Sequence, residues 1–177
     1  MNRYVVVSGL PGAGKSTIAA GLAAQSSLPL FDKDALLEAM FAPGIPRNPA
    51  ERRSLSHQAD RELEWVVRNS PEAIVVSWWR HPMSAVDSGT PTDWLRSLRG
   101  TRLEVYCECA PDVAVARFCG RKRHPGHMDE RWLQASLVAQ FAEAAKLGPL
   151  NIGALIRVDT EQPVDFAVLW NRIESES

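Results

Sequence analysis

The chain has few of the residues that build stapled or membrane-bound proteins. Cysteine occurs three times in 177 residues, as Cys107, Cys109 and Cys119, and an odd number so small excludes a disulfide scaffold. No apolar stretch approaches the roughly 20 residues that a bilayer-spanning helix requires, so no membrane partner is expected. Charge of one sign is also missing. The 20 Lys and Arg balance 21 Asp and Glu to a formal net charge of -1. The chain is therefore no global polycation that grips nucleic acid without regard to sequence, and any anion site must be local. Met1 leads straight into a strand-like run without a signal-peptide opening, which together with the unpaired thiols predicts a reducing cytoplasm. No linker, repeat or low-complexity segment interrupts the sequence, and 177 residues amount to one domain, spanning 1–177.

What is present is an alternation of apolar runs and helical patterns. Tyr4–Val7 is a short β-branched run of the kind buried on both faces of a sheet, and a helix-forming stretch follows from Lys15 to about Gln25. Pro29–Phe31 predicts a second strand and Asp34–Met40 a helix. Pro43, Gly44, Pro46 and Pro49 then break the chain before a polar helix over Ala50–Asn69. Ala73–Ser77 is a third strand, followed by an irregular stretch and a helix near Thr92–Arg99. Leu103–Cys107 is a fourth strand, and Pro111–Gly120 a helix that opens on proline. The spacing of Leu133, Leu137, Phe141 and Ala144 predicts a helix over Asp129–Leu147, ended by Gly148-Pro149. A strand over Ala154–Val158 and a helix over Pro163–Ile173 close the pattern. Strands alternating with helices imply an α/β fold with a five-stranded parallel sheet, helices on both faces and ligands at the carboxyl ends of the strands.

Gly9-Leu10-Pro11-Gly12-Ala13-Gly14-Lys15-Ser16 matches GxxxxGK[ST] between a predicted strand and a predicted helix, the context that a phosphate-binding loop requires. Glycines let backbone N–H groups approach phosphate oxygens, and the helix N-terminus adds its dipole at the same place. Lys15 supplies a mobile positive charge for the β- and γ-phosphates, and the Ser16 hydroxyl a ligand for magnesium. Thr17 extends the helix and completes the nucleotide-binding set from Gly9 to Thr17. The plain alternative, a glycine-rich turn, leaves the strand and helix around it without a purpose.

Asp32-Lys33-Asp34 stands at the end of the second strand. On an extended chain positions i and i+2 point the same way, so Asp32 and Asp34 share one site while Lys33 points elsewhere. The plain alternative is that Asp34 caps the helix beginning at Ala35 with Asp32 solvated. Gly9 to Thr17 followed by Leu30-Phe31-Asp32-Lys33-Asp34 resembles the shikimate kinases among the small P-loop kinases. That resemblance implies that Asp32 helps to hold magnesium and Asp34 contacts the acceptor hydroxyl. The run Asp34–Met40 resembles chloramphenicol phosphotransferase, and the Asp after strand two is shared with polynucleotide 5′-hydroxyl kinases; both likenesses again select Asp34 as the base. The chain departs from these families too. Ser77-Trp78-Trp79-Arg80-His81 replaces the triple-glycine segment of shikimate kinases, which argues against shikimate. Trp78 and Leu37 stand where polynucleotide kinases carry Asp and Arg, which argues against a nucleic-acid end. Strand three carries no Walker-B acid, leaving Ser16, Asp32, phosphate oxygens and water for the metal.

Arg117, Arg121, Lys122, Arg123 and Arg131 crowd fifteen residues around the turn Pro125-Gly126. In related kinases such a segment is a basic lid, here at about 118–131, and Arg117 and Arg121 match its two-arginine spacing; arginine forks suit phosphate oxygens. The alternative is a solvated helix end whose cations favour the C-terminal dipole. Val158-Asp159-Thr160 resembles the loop that lines the adenine, unless Asp159 or Thr160 merely caps the last helix. Cys107, Cys109, His124 and His127 lack the spacing of a familiar zinc set. Trp78, Trp79, Arg80 and His81, with Arg47, Arg52, Arg53 and His57, are candidates for the acceptor wall, at least one Trp being core. His81 and His57 rank below Asp34 as a base. The resemblance thus implies an ATP- and magnesium-dependent phosphotransferase acting on a small-molecule hydroxyl. A regulatory ATPase without an acceptor and a polynucleotide 5′-hydroxyl kinase are the alternatives.

Overall fold

The computed structural model describes residues 2–42, 44–129 and 134–176. Arg131 and Leu133, and with them part of the predicted lid, lie outside the described residues. Five parallel strands, β1 (Arg3–Gly9), β2 (Leu30–Asp32), β3 (Glu72–Val76), β4 (Thr101–Glu108) and β5 (Ala154–Asp159), form one sheet in the order β2-β3-β1-β4-β5. The helices are α1 (Lys15–Ser26), α2 (Lys33–Met40), α3 (Pro49–Arg68), α4 (Asp93–Arg96), α5 (Pro111–Gly120), α6 (Gln134–Leu147) and α7 (Phe166–Ser175), with a 3-10 turn at Pro125–His127. None of the described helices is long and apolar enough to cross a membrane.

Alternation along the central strands sends side chains into two separate cores. Val5, Val7, Ile74, Leu103, Val105 and Ile156 pack with Ile18, Leu22, Val115, Phe118, Phe141, Leu169 and Ile173, so α1, α5, α6 and α7 cover one face. Tyr4, Val6, Ala73 and Val75 pack with Leu63 and Val67 of α3, Trp94 and Leu95 of α4, and Trp79. Each fully buried aliphatic side chain contributes roughly 2 kcal/mol, which is why β1 and β3 read as unbroken apolar runs.

Several boundaries differ from the sequence expectation because side-chain caps set them. Asp32 accepts from the Asp34 N–H at 2.8 Å and starts α2 at Lys33; Asp34, expected to be the capping residue if either Asp was, lies in the first turn. Asp165 accepts from Ala167 and Val168 and starts the last helix at Phe166, so neither Asp159 nor Thr160 caps it. The helix expected over Thr92–Arg99 is the single turn α4. Of the helix expected over Asp129–Leu147 the described part is α6, Gln134–Leu147, and Asp129 has its carboxylate held by Arg123 at 3.0 Å. Between the Asp32 segment and β1 lies β3, with Asp32 in register with Val76.

Glu104, in the middle of β4, is fully buried. Its carboxylate accepts from the Ser8 hydroxyl at 2.5 Å and from the Leu150 and Asn151 N–H groups at 2.8 and 2.9 Å. A chain reversal between α6 and β5 is thereby tied to the sheet. Glu104→Ala strands three donors, and we expect it to cost about 3 kcal/mol, seen by calorimetry as a fall in Tm of roughly 10 °C. A loss under about 1 kcal/mol would mean that packing alone holds this loop.

Candidate active site

The carboxyl ends of the strands open into a cavity of about 710 Å³ lined by the glycine loop, the start of α2, α3, the segment after β3 and the basic loop after α5. The loop between β1 and α1 forms its floor with Pro11, Gly12, Gly14, Lys15, Ser16 and Thr17. Gly9, Leu10 and Ala13 shape the loop from behind and do not line the cavity; Leu10 and Ala13 are buried. Gly12 has φ of 82°, and a Cβ there would stand 2.1 Å from the Ala114 carbonyl oxygen of α5. Both the left-handed backbone and the close approach of α5 require glycine.

Lys15 is buried and its Nζ donates to the Leu10 carbonyl at 2.7 Å. Burial pulls its pKa down to about 8, against the pull of Cys107 and Asp34 in the other direction. Asp32 and Asp34 both line the cavity although Asp34 is helical rather than extended. Burial raises the Asp32 carboxyl, opposed by the Asp34 N–H, the Ser16 hydroxyl and Lys15. Burial would raise Asp34 as well, but Arg123, His127 and Arg121 outweigh it and hold that carboxyl below its usual range. Lys33 lines the cavity as well, where the extended pattern had it pointing elsewhere, because it stands in the first turn of α2; its Nζ lies 2.6 Å from Asp60 on α3.

Arg123 is the partner that the arginine spacing did not single out. Its guanidinium forms an ion pair with Asp34, 89 positions away, and a second with Asp129 at 3.0 Å. No local signal in the sequence distinguishes it from Arg121 or Lys122. Arg121 also lines the cavity, stacks over Phe118 at 4.2 Å and lies 3.7 Å from Asp129. Arg117 points instead towards the loop after β5, donating to the Thr160 carbonyl at 3.1 Å. With Thr160, Gly14, Thr17, Ile18, Gln162, Val164 and Phe166 it bounds a second cavity of about 300 Å³. Gly14, Thr17 and Arg117 line both cavities. Asp159 lines neither; its carboxylate accepts from the Glu161 N–H at 2.9 Å.

The two tryptophans divide. Trp79 is core at 5% exposure, its indole N–H donating to Val7, whereas Trp78 is 41% exposed and faces the cavity. Arg52, Arg53, His57 and Arg80 line the same side; Arg47 does not. Asp87 bridges Arg80 at 2.7 Å and Arg53 at 3.3 Å. His81 is engaged by Pro149 and Met83 and does not line the cavity. For a metal ion the cavity offers two neighbouring hard oxygen donors, Ser16 and Asp32; among the described residues no cluster of three or more His, Cys, Asp or Glu has metal-binding spacing. Two oxygen donors beside the glycine loop fit magnesium, which is held by few protein ligands and fills the rest of its shell with waters and substrate oxygens.

No protein-family model matches the chain, and no curated protein does. Solved structures do. A candidate kinase from Chloroflexus aurantiacus is 24% identical over 99% of this chain and 98% of its own, with a TM-score of 0.79. A shikimate kinase from Bacteroides thetaiotaomicron is 18% identical over 99% and 98%, with a TM-score of 0.62. A sugar kinase from Janibacter sp. is 24% identical over 99% and 94%, with a TM-score of 0.57. The chain has the fold of the small P-loop kinases.

The desolvated Lys15 carries a testable stability cost. Its pKa is about 8 in the folded protein and 10.5 as the ordinary value, so below pH 8 the folded state holds a charge that burial disfavours, a penalty of roughly 3 kcal/mol. The penalty fades as pH rises from 8 towards 10.5, because the unfolded chain then binds the extra proton. Lys15→Met removes the charge and one hydrogen bond worth about 1 kcal/mol. Melting curves should show the variant more stable than the parent by on the order of 2 kcal/mol at pH 7, with the gain shrinking above pH 8. An equal or lower Tm at pH 7 would contradict this.

Proposed function

We propose that the protein is an ATP-dependent kinase that moves the γ-phosphoryl group to a hydroxyl of a small molecule, with Asp34 as the base. The reading is carried by one observation: Asp34 lines the same cavity as Lys15 and Ser16 of the glycine loop. Kinase-named structures of the same fold support it.

Backbone N–H groups of the loop and Lys15 hold the β- and γ-phosphates, and the second cavity, between Arg117 and Phe166, takes the base of the nucleotide. Ser16 and Asp32 are the residues that would hold magnesium, which supplies neutralisation of charge on the phosphates. Asp34, kept ionised by Arg123, accepts the hydrogen of the acceptor hydroxyl and orients its oxygen. The new O–P bond forms as the bridge to the β-phosphate breaks, the hydroxyl proton goes to Asp34, and ADP leaves. Because the transition state is loose, positioning and charge stabilisation carry most of the rate, so a carboxylate with a low pKa suffices. Arg121 and Arg123, from the lid at about 118–131, stabilise the transferring group.

On the acceptor side, Trp78 offers a flat apolar face and Arg52, Arg53 and Arg80 a cationic rim. An alcohol that carries an acidic substituent and a ring or chain to lie on the indole fits this wall best. Magnesium use, the cytoplasm as location and one domain over 1–177 belong to the same reading.

The test is incubation with γ-labelled ATP and a panel of sugars, sugar acids, amino alcohols, antibiotics and oligonucleotides. Label should pass to a small alcohol. Release of inorganic phosphate alone, or labelling of oligonucleotides alone, would refute the proposal. Asp34→Asn should slow transfer at least about 100-fold while ATP binding and Tm hold, and Lys15→Ala should lose both transfer and tight ATP binding.

A further inference from the structure

One face of α2 makes a continuous series of contacts with the loop after α5. Asp34, Glu38 and Phe41 are spaced four and then three residues apart and so lie on the same side of the helix. In the same order, Asp34 meets Arg123, Glu38 meets His127 with Nε2 to Oε1 at 2.8 Å, and the Phe41 ring meets two imidazoles. His124 stacks on Phe41 with centroids 5.1 Å apart, and His127 meets it edge-on at 5.5 Å. The loop fits closely here: a Cβ on Gly126 would stand 2.6 Å from the Phe41 ring.

The burial of His127 is out of keeping with a loop that only covers a site. Its relative exposure is 2%, while loop side chains ordinarily face water. Of its ring nitrogens, Nε2 has Glu38, and among the described residues the buried Nδ1 has no hydrogen-bond partner, so the bond to Glu38 is the polar contact there that orients the imidazole. The backbone around it is stiff. His124 Nδ1 accepts from the Gly126 N–H, the His127 N–H donates to the His124 carbonyl, and the Met128 N–H donates to the Pro125 carbonyl. Arg123 leads directly into this turn, so where His127 is pinned decides where the guanidinium of Arg123 stands.

We infer that Glu38 and His127 are positioning residues: their hydrogen bond latches the basic loop to α2 and sets Arg123 against Asp34. Neither touches the reacting atoms. The inference rests on Asp34 being the base, yet the latch has a readout of its own. That readout is Arg123 itself, whose guanidinium is held between Asp34 and Asp129 only while the turn is seated on α2.

The experiment is side-chain NMR of the Arg123 guanidinium in the full chain without nucleotide, in the parent, Glu38→Ala, Glu38→Gln and Gly126→Ala. Glu38→Ala should speed exchange of the guanidinium N–H groups with water about tenfold, Glu38→Gln, whose amide oxygen still accepts from His127, should restore the parent rate, and Gly126→Ala should speed it by displacing Phe41. With an acceptor in hand, kcat of Glu38→Ala should fall about tenfold with nucleotide affinity unchanged. An Arg123 exchange rate that stays at the parent value in both alanine variants overturns the latch. The measurement needs no turnover, so a latch that holds in a protein that phosphorylates nothing would count against the kinase reading alone.

Discussion

The hydrogen bond from the Asp34 N–H to the Asp32 carboxylate, 2.8 Å long, fixes more of this molecule than its size suggests. It ends β2 and starts α2 within one residue, at the carboxyl edge of the sheet. Because the helix begins there, Asp34 falls in its first turn and faces the glycine loop, while Glu38 and Phe41 fall on the face that receives the basic loop. Lys33, one residue earlier, is turned towards Asp60 and ties α2 to α3. A cap of this kind is worth about 1 kcal/mol, yet moving the start of α2 by a residue would rotate every group on it by about a quarter turn.

The site concentrates charge that the chain as a whole does not have. Eight Lys and Arg and five Asp line the main cavity of a protein with a formal net charge of -1. That surplus suits a polyanion with a developing negative charge, and the low dielectric of a buried floor strengthens each attraction. The cost appears in the side chains themselves. Lys15 is kept in a place where burial opposes its charge, and α5 approaches so closely over Gly12 that no side chain is tolerated. A site tuned for binding is in this sense a local debit in folding.

Much of this was legible in the residues because the signals are local. A glycine loop declares itself through covalent spacing, and the runs Tyr4–Val7 and Ala73–Ser77 declare buried strands because both faces are covered. Element boundaries were less legible: Asp32 and Asp165, not Asp34 or Thr160, cap their helices, since which carboxylate caps depends on backbone angles that composition does not encode. The adjacent Trp78 and Trp79 read alike, yet one reaches back to Val7 under the sheet and the other faces the cavity.

The sequence by itself determined the glycine loop, the alternation that makes a parallel sheet, and the carboxylates at the second strand's end, because each depends on neighbours within a few bonds. Tertiary structure alone decided that β3 separates Asp32 from the strand that leads into the glycine loop, that Arg117 serves the loop after β5, and that Arg123 rather than its neighbours meets Asp34. Those pairings join residues tens of positions apart. They are set by strand order and by how a stiff turn seats on α2, and no pattern of period two or 3.6 along the chain carries that information.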